Sequence, residues 1–175
     1  KSIEIPNSVT SIGEKAFYGT ILKDITIPSS VISIGAKAFA YCDNLETVTL
    51  MNGVTSISDE AFYNCNRLTS IAIPNSVTSM GDGVFMWCRR LVSVTLPNKI
   101  QSIGNSMFYD CIDLKTITIP NSVTSIGKYA FYNCNSFTSI TIPNSVKSIG
   151  DGAFVWCGNL TSIAIPDSVI SIGSL

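Results

Sequence analysis

Residues 137–157 read Phe-Thr-Ser-Ile-Thr-Ile-Pro-Asn-Ser-Val-Lys-Ser-Ile-Gly-Asp-Gly-Ala-Phe-Val-Trp-Cys, and this pattern recurs along the whole 175-residue chain. The sequence has six cysteines, each 23 residues after the one before: Cys42, Cys65, Cys88, Cys111, Cys134 and Cys157. A phenylalanine precedes each cysteine by three residues, and Phe17 stands 22 residues before Phe39. A spacing this regular indicates one supersecondary unit copied end to end.

Each copy contains a short strand motif. Ile140 and Ile142 flank a threonine, and this alternation predicts a strand with one buried face. Pro143 and Asn144 then predict a turn, because proline presets φ and asparagine tolerates the second corner. The motif occurs eight times, with inward pairs Ile3/Ile5, Ile25/Ile27, Val48/Leu50, Ile71/Ile73, Val94/Leu96, Ile117/Ile119, Ile140/Ile142 and Ile163/Ile165.

The rest of a copy turns back toward the next strand. Val146 and Ile149 predict a second short extended segment, and Gly150 predicts a sharp turn that a side chain would obstruct. Phe154 and Cys157 stand three residues apart and would share one face of a helix. The sequence therefore predicts one or two turns of α- or 3₁₀-helix at this place in every copy.

The repeated pattern Leu-x-x-Ile-x-Ile-Pro-x-x-Val-x-x-Ile-Gly-x-x-Ala-Phe-x-x-Cys resembles the BspA-like (treponemal-type) leucine-rich repeat. Departures are local: Met51 replaces the proline, Ser58 the glycine, Phe137 the leucine and Thr20 the cysteine. The resemblance implies an α/β fold, a leucine-rich-repeat solenoid of 22–23-residue repeats. It places a parallel β-sheet on the concave face, with short strands and helical turns on the other sides.

We expect residues 1–175 to form a single leucine-rich-repeat domain of about seven repeat periods. Solenoids need polar caps on their end repeats, and neither end copy has the sequence of one, so we expect a fragment of a longer protein. Members of the family look like surface or secreted proteins of host-associated microbes, and several are adhesins. The resemblance thus implies a non-enzymatic module for cell adhesion, at the cell surface or secreted, that binds an extracellular protein or glycan.

Composition narrows the function further. A net charge of −1 without a basic run argues against nucleic acid, and the longest apolar stretches are too short for membrane insertion. The chain has no histidine, which excludes Ser-His and Cys-His catalysis. Acidic residues such as Glu46, Asp59, Asp82 and Asp113 stand at different positions of the repeat, so we expect no carboxylate pair. We predict no enzyme activity, no cofactor and no metal site.

The cysteines form a ladder with one thiol per layer. We predict reduced, buried thiols that act as small hydrophobes and donate weakly to the turn backbone. Thr20 fits that role in the first full copy, because it is small and carries a donor. A bridge between adjacent layers stays an alternative, although parallel Cβ vectors suit a disulfide poorly.

The outward positions of the strands form a ribbon of short hydroxyls about 35 Å long. We predict that this ribbon binds the ligand, through Thr26, Thr47, Thr49, Ser70, Ser93, Thr95, Thr116, Thr118, Ser139 and Thr141. Two alternatives remain: solvated strand formers that only keep the sheet soluble, or ranked hydroxyls that order ice. At the level of the whole protein, the alternative function is a structural spacer or stalk with no ligand of its own.

A row of aromatic residues follows the phenylalanines: Tyr18, Tyr41, Tyr63, Trp87, Tyr109, Tyr132 and Trp156. One interpretation is a rim whose rings cover the backbone of the next copy. The other is an edge that stacks on carbohydrate or binds a partner, because exposed tyrosine and tryptophan often mark contact surfaces.

Overall fold

A computed structural model describes residues 2–174, with side chains from residue 3 onward. The chain winds as a solenoid of about seven coils, each contributing short parallel strands. One face, here called the strand face, is formed by β1 (Ser2–Ile3), β3 (Asp24–Ile27), β5 (Thr47–Leu50), β7 (Ser70–Ala72), β9 (Ser93–Thr95) and β11 (Thr116–Ile117). The second face is formed by β2 (Ser11–Ile12), β4 (Ser33–Ile34), β6 (Ser56–Ile57), β8 (Ser79–Met80), β10 (Ser102–Ile103), β12 (Ser125–Ile126), β13 (Ser148–Ile149) and β14 (Ser171–Ile172).

The strands pair in parallel with their counterparts in adjacent coils, except between β5 and β7 and, on the second face, between β8 and β10. Ile25 of β3 pairs with Val48 of β5, and Ser125 of β12 pairs with Ser148 of β13. These partners are one sequence period apart, so equivalent residues of neighbouring coils lie side by side. On the strand face the order is β1-β3-β5 and then β7-β9-β11, without strand pairing between β5 and β7.

The core consists of columns of equivalent apolar side chains, one from each coil. Six consecutive pairs of phenylalanine rings, from Phe17 to Phe154, stack with centroids 5.1 to 5.8 Å apart and interplanar angles of 13° or less. Offset stacking at this separation is a favourable aromatic geometry. Leucine, valine and isoleucine columns pack beside the rings and are almost fully buried from the second coil to the sixth.

The predicted helical turns are wrong, because the described residues form no helix. In the coil around Phe39, the N–H of Ala40 bonds locally to Lys37 O at 3.1 Å, whereas the N–H of Phe39 bonds to Ala61 O of the next coil at 2.8 Å. Lys37 and Tyr41 take left-handed φ values of 55° and 59°. A continuous helix needs right-handed φ throughout and local bonds at every residue, and this segment satisfies neither condition.

The predicted strands in the last two coils are also reduced. Around residues 138–142 and 161–165 the ladder shrinks to a single bridge between Thr141 and Ala164. Phe137 occupies the leucine position here, and its larger ring packs 5.6 Å from Phe131 at a tilt of 58°. The inward pairs are buried in the middle of the solenoid, apart from the partly buried Ile117, while Ile3 and Ile165 are exposed because their coils contact only one described neighbour.

Candidate functional site

The ten hydroxyl residues predicted to bind the ligand lie along the strand face. Nine of them are exposed, and Ser93 is half-buried. They stand in register where strands pair: Thr26 lies beside Thr49, Ser93 lies between Ser70 and Thr116, and Thr95 lies beside Ala72. The chain therefore presents short side chains at fixed intervals of about 4.8 Å along one surface.

Two shallow depressions run along the later half of this face. One of about 590 Å³ is lined by strand-face hydroxyls from Thr116 to Thr141, and a second of about 450 Å³ includes Thr95. Thr118 and Asn121 border both, so the two depressions form one continuous groove. Thr26, Thr47, Thr49, Ser70 and Ser93 lie outside this groove.

A separate polar depression of about 390 Å³ lies beside the strand face in the central coils. It is lined by Glu46, Thr47, Arg67, Thr69 and Arg90. Of these, only Thr47 was predicted as a site residue. A signal was nevertheless present in the sequence, because Arg67 and Arg90 stand one 23-residue period apart.

The six cysteines form the predicted ladder of buried free thiols. Each thiol donates to the carbonyl of the phenylalanine in the preceding coil, as in the bond from Cys88 Sγ to Phe62 O at 3.0 Å. Thr20 takes the cysteine position in its coil, and its Oγ1 lies 3.4 Å from Cys42 Sγ. Burial raises the pKa of the Cys65, Cys111 and Cys134 thiols well above 9.0, which keeps them protonated and unreactive near neutral pH.

The aromatic row makes ring-to-ring contacts between coils. Tyr41 lies between Tyr18 and Tyr63 at 5.2 Å from each, and Tyr109 stacks on Tyr132 at 4.5 Å. Burial and the neighbouring Tyr41 hydroxyl raise the pKa of Tyr63 to about 12. The rings thus contact one another between coils, while both the covering of the backbone and a binding role for this edge stay predictions.

The prediction that acidic residues stand at unrelated positions is wrong for Asp59 and Asp82, which are one period apart. Asp59 Oδ1 accepts the backbone N–H of Asp82 at 2.9 Å, and Asp82 in turn accepts the N–H of Asn105 at 2.8 Å. This ladder satisfies turn N–H groups between coils and does not pair two carboxylates. Within residues 2–174, no three histidine, cysteine, aspartate or glutamate side chains converge as a metal site would require.

Several comparisons identify related proteins. The sequence matches the BspA type leucine-rich repeat region in six copies, over residues 1–111 and 78–175. A search of the curated proteins finds no match. The described part of the chain contains no helix with the length and hydropathy needed to cross a bilayer.

Three solved bacterial structures illustrate the similarity. A leucine-rich repeat protein from T. pallidum is 31% identical with a TM-score of 0.84, and the match covers 96% of this chain and 79% of that one. A leucine-rich repeat protein from Eubacterium ventriosum is also 31% identical, with a TM-score of 0.80. The match covers 87% of this chain and 41% of that one. A leucine-rich cell surface protein from Faecalibacterium prausnitzii is 32% identical, with a TM-score of 0.65. The match covers 97% of this chain and 52% of that one. The chain thus spans about half or less of the latter two proteins.

Proposed function

Because the chain belongs to the BspA-type leucine-rich repeat family, we propose that it is a non-enzymatic module that binds an extracellular protein or glycan on its strand face. Proteins of this solenoid family generally serve as binding or structural modules rather than as enzymes. The module belongs at the cell surface or outside the cell and contributes to adhesion. In support, one of the similar structures is itself described as a cell surface protein.

One observation carries the proposal: the continuous groove that Thr95, Thr118 and Thr141 border on the strand face. Its exposed hydroxyls stand on stacked coils, so an extended ligand can meet donors and acceptors from several coils at once. A single hydrogen bond contributes only about 0.5–1.5 kcal/mol. Affinity must therefore come from an extended ligand that contacts several coils at once, as an unfolded polypeptide segment or a glycan chain does.

The test is a triple variant, Thr95→Gln, Thr118→Gln and Thr141→Gln, which fills the groove with longer neutral side chains. Ligands are first found by screening the whole chain against arrays of matrix proteins and glycans. We expect the triple variant to lose most of its binding to the ligand found, with the melting temperature little changed because all three positions are exposed.

The matched control places the same three changes on the second face, at the exposed residues Thr10, Thr78 and Thr124. This control should bind like the unmodified chain. If the strand-face variant binds the ligand as well as the unmodified chain does, the binding site does not lie in the strand-face groove. Capture of no ligand on either array would favour the spacer or stalk instead.

A further inference from the structure

All three arginines of the chain lie in two neighbouring coils beside the strand face: Arg67, Arg89 and Arg90. Arg89 is neutralised by Asp110, whose Oδ2 lies 2.8 Å from its Nε, and its guanidinium also lies 4.7 Å from the centre of the Trp87 ring. Arg67 and Arg90 instead line the depression of about 390 Å³ described above.

Arg67 and Arg90 occupy the same position in adjacent coils. These coils are direct neighbours, because the rings of Phe62 and Phe85 stack with their centroids 5.8 Å apart. Arg67 Nη1 lies 3.2 Å from Glu46 Oε1, whereas Arg90 takes part in no ion pair among residues 2–174. Asp113 holds this position in the following coil, but it does not pair with Arg90. The depression therefore holds the Arg67–Glu46 pair beside the unpaired guanidinium of Arg90, and a bound anion would complement that uncompensated positive charge.

An unpaired backbone donor lies in the same depression. In the flanking coils, the N–H of Glu46 donates to Lys23 O at 2.7 Å, and the N–H of Val92 donates to Thr69 O at 2.8 Å. The equivalent N–H of Thr69 has no acceptor among the described residues, because β5 and β7 do not pair. Thr69 itself lines the depression, so this unpaired donor belongs to its wall.

We propose that this depression binds a sulfate or carboxylate group of an acidic glycan chain, which continues from there along the strand face. The guanidinium groups of Arg67 and Arg90 supply paired donors that match the planar or tetrahedral oxygens of such a group. The N–H and hydroxyl of Thr69 add two more donors. This inference rests on the proposed function and names the chemistry of the ligand.

A glycan fits this site better than a protein partner does. Protein interfaces are anchored by buried aromatic or aliphatic side chains, and none of the five residues lining the depression is apolar. The adjacent surface of β5 and β7 carries Thr47, Thr49 and Ser70, whose hydroxyls pair naturally with those of a sugar chain. With a net charge of −1, the whole chain would not attract polyanions unspecifically.

The experiment measures binding of three immobilised polysaccharides at physiological salt: heparin, which is sulfated; hyaluronan, which has carboxylates only; and uncharged dextran. The test variant is Arg67→Gln with Arg90→Gln. The control, Lys128→Gln with Lys147→Gln, makes the same change in net charge at exposed positions elsewhere. A third variant, Arg67→Lys with Arg90→Lys, keeps the charge and removes the paired donors.

We expect heparin, hyaluronan or both to bind, and dextran not to bind. The glutamine variant should lose affinity by about tenfold or more, the lysine variant by an intermediate factor, and the control by less than about twofold. Binding of heparin alone assigns the group as sulfate, and binding of hyaluronan as well assigns it as a carboxylate. All variants should keep the melting temperature of the unmodified chain.

Failure to bind either acidic polymer, or equal losses in the glutamine variant and its control, would overturn the inference. Equal binding of dextran would also overturn it, because the acid group would then play no part. The proposed function is tested separately. A ligand that is lost with the triple threonine variant but retained with Arg67→Gln/Arg90→Gln would leave the strand-face groove as the site and remove only the acidic-glycan assignment.

Discussion

At the scale of single residues, each coil repeats the same two contacts. A phenylalanine ring stacks on its equivalents above and below, and its carbonyl accepts a thiol from the next coil. In several coils this carbonyl also accepts the backbone N–H of its own cysteine, as Phe85 O does from Cys88 at 3.1 Å and from the Cys111 thiol at 3.1 Å. Both lone pairs of the buried oxygen are thereby used, which explains why a small donor side chain suits this position.

The first prediction concerns the ring column. Phe85 is fully buried and stacks on rings at 5.8 and 5.6 Å, so Phe85→Ala should lower the free energy of unfolding by about 3–5 kcal/mol. Phe17, at the end of the column, has one stacked neighbour and is only partly buried. Phe17→Ala should therefore lower the free energy of unfolding by clearly less than Phe85→Ala does. Urea denaturation of both variants measures the difference, and equal costs would mean that the rings do not act as a column.

The second prediction concerns pH. Burial raises the pKa of the Cys111 thiol above its ordinary value of 9.0, so the unfolded chain loses this proton first as the pH rises. The contribution of Cys111 to stability is therefore complete below about pH 9 and declines above it. Cys111→Ser keeps a donor but does not ionise in this range. Urea denaturation from about pH 8 to 10 should show a shallower loss of stability for the serine variant than for the unmodified chain. Parallel curves would contradict the buried thiol.

At the scale of elements, the turns differ most from the sequence prediction. The spacing of three between phenylalanine and cysteine correctly indicated that both side chains share the core. A helix and a series of turns bonded to the next coil both produce that burial, so the spacing alone could not distinguish them. The left-handed residues that mark the turns are glycine at Gly19, Gly83 and Gly152 only, and elsewhere they include Lys37 and Trp87. Because most of these left-handed residues are not glycines, this backbone could not be predicted from the sequence.

The third prediction concerns the close approach of adjacent coils at the glycine that recurs in most copies of the repeat. A Cβ added at Gly127 would lie 2.6 Å from the backbone nitrogen of Asn105, which is too close without a shift of the backbone. Gly127→Ala should therefore destabilise the protein by about 1–3 kcal/mol. Gly13 belongs to the first coil, and a Cβ there meets nothing within 4 Å, so Gly13→Ala should be nearly neutral. Thermal denaturation of the two variants tests this, and a neutral Gly127→Ala would show that the coils can separate freely.

At the scale of the whole molecule, the period of the sequence predicted the architecture because in-register stacking leaves few alternatives. It predicted the surface less completely. The hydroxyls at outward strand positions are exposed as expected, but the groove extends over only the later coils, and the depression at Arg67 depends on the interruption between β5 and β7. Neither feature follows from a repeated pattern, since both arise where individual coils differ from the repeat.

The fourth prediction is the most direct test of in-register stacking. Deleting residues 45–67 removes one whole 23-residue coil and joins Asn44 to Leu68, so every remaining column stays aligned. Deleting residues 45–56 removes only half of that coil and shifts all later residues out of register. Thermal unfolding followed by circular dichroism should show a cooperative transition for the whole-coil deletion, at a somewhat lower temperature than the unmodified chain, and no native transition for the half-coil deletion. A whole-coil deletion that fails to fold, or a half-coil deletion that folds equally well, would contradict the stacked, interchangeable coils on which both proposed sites depend.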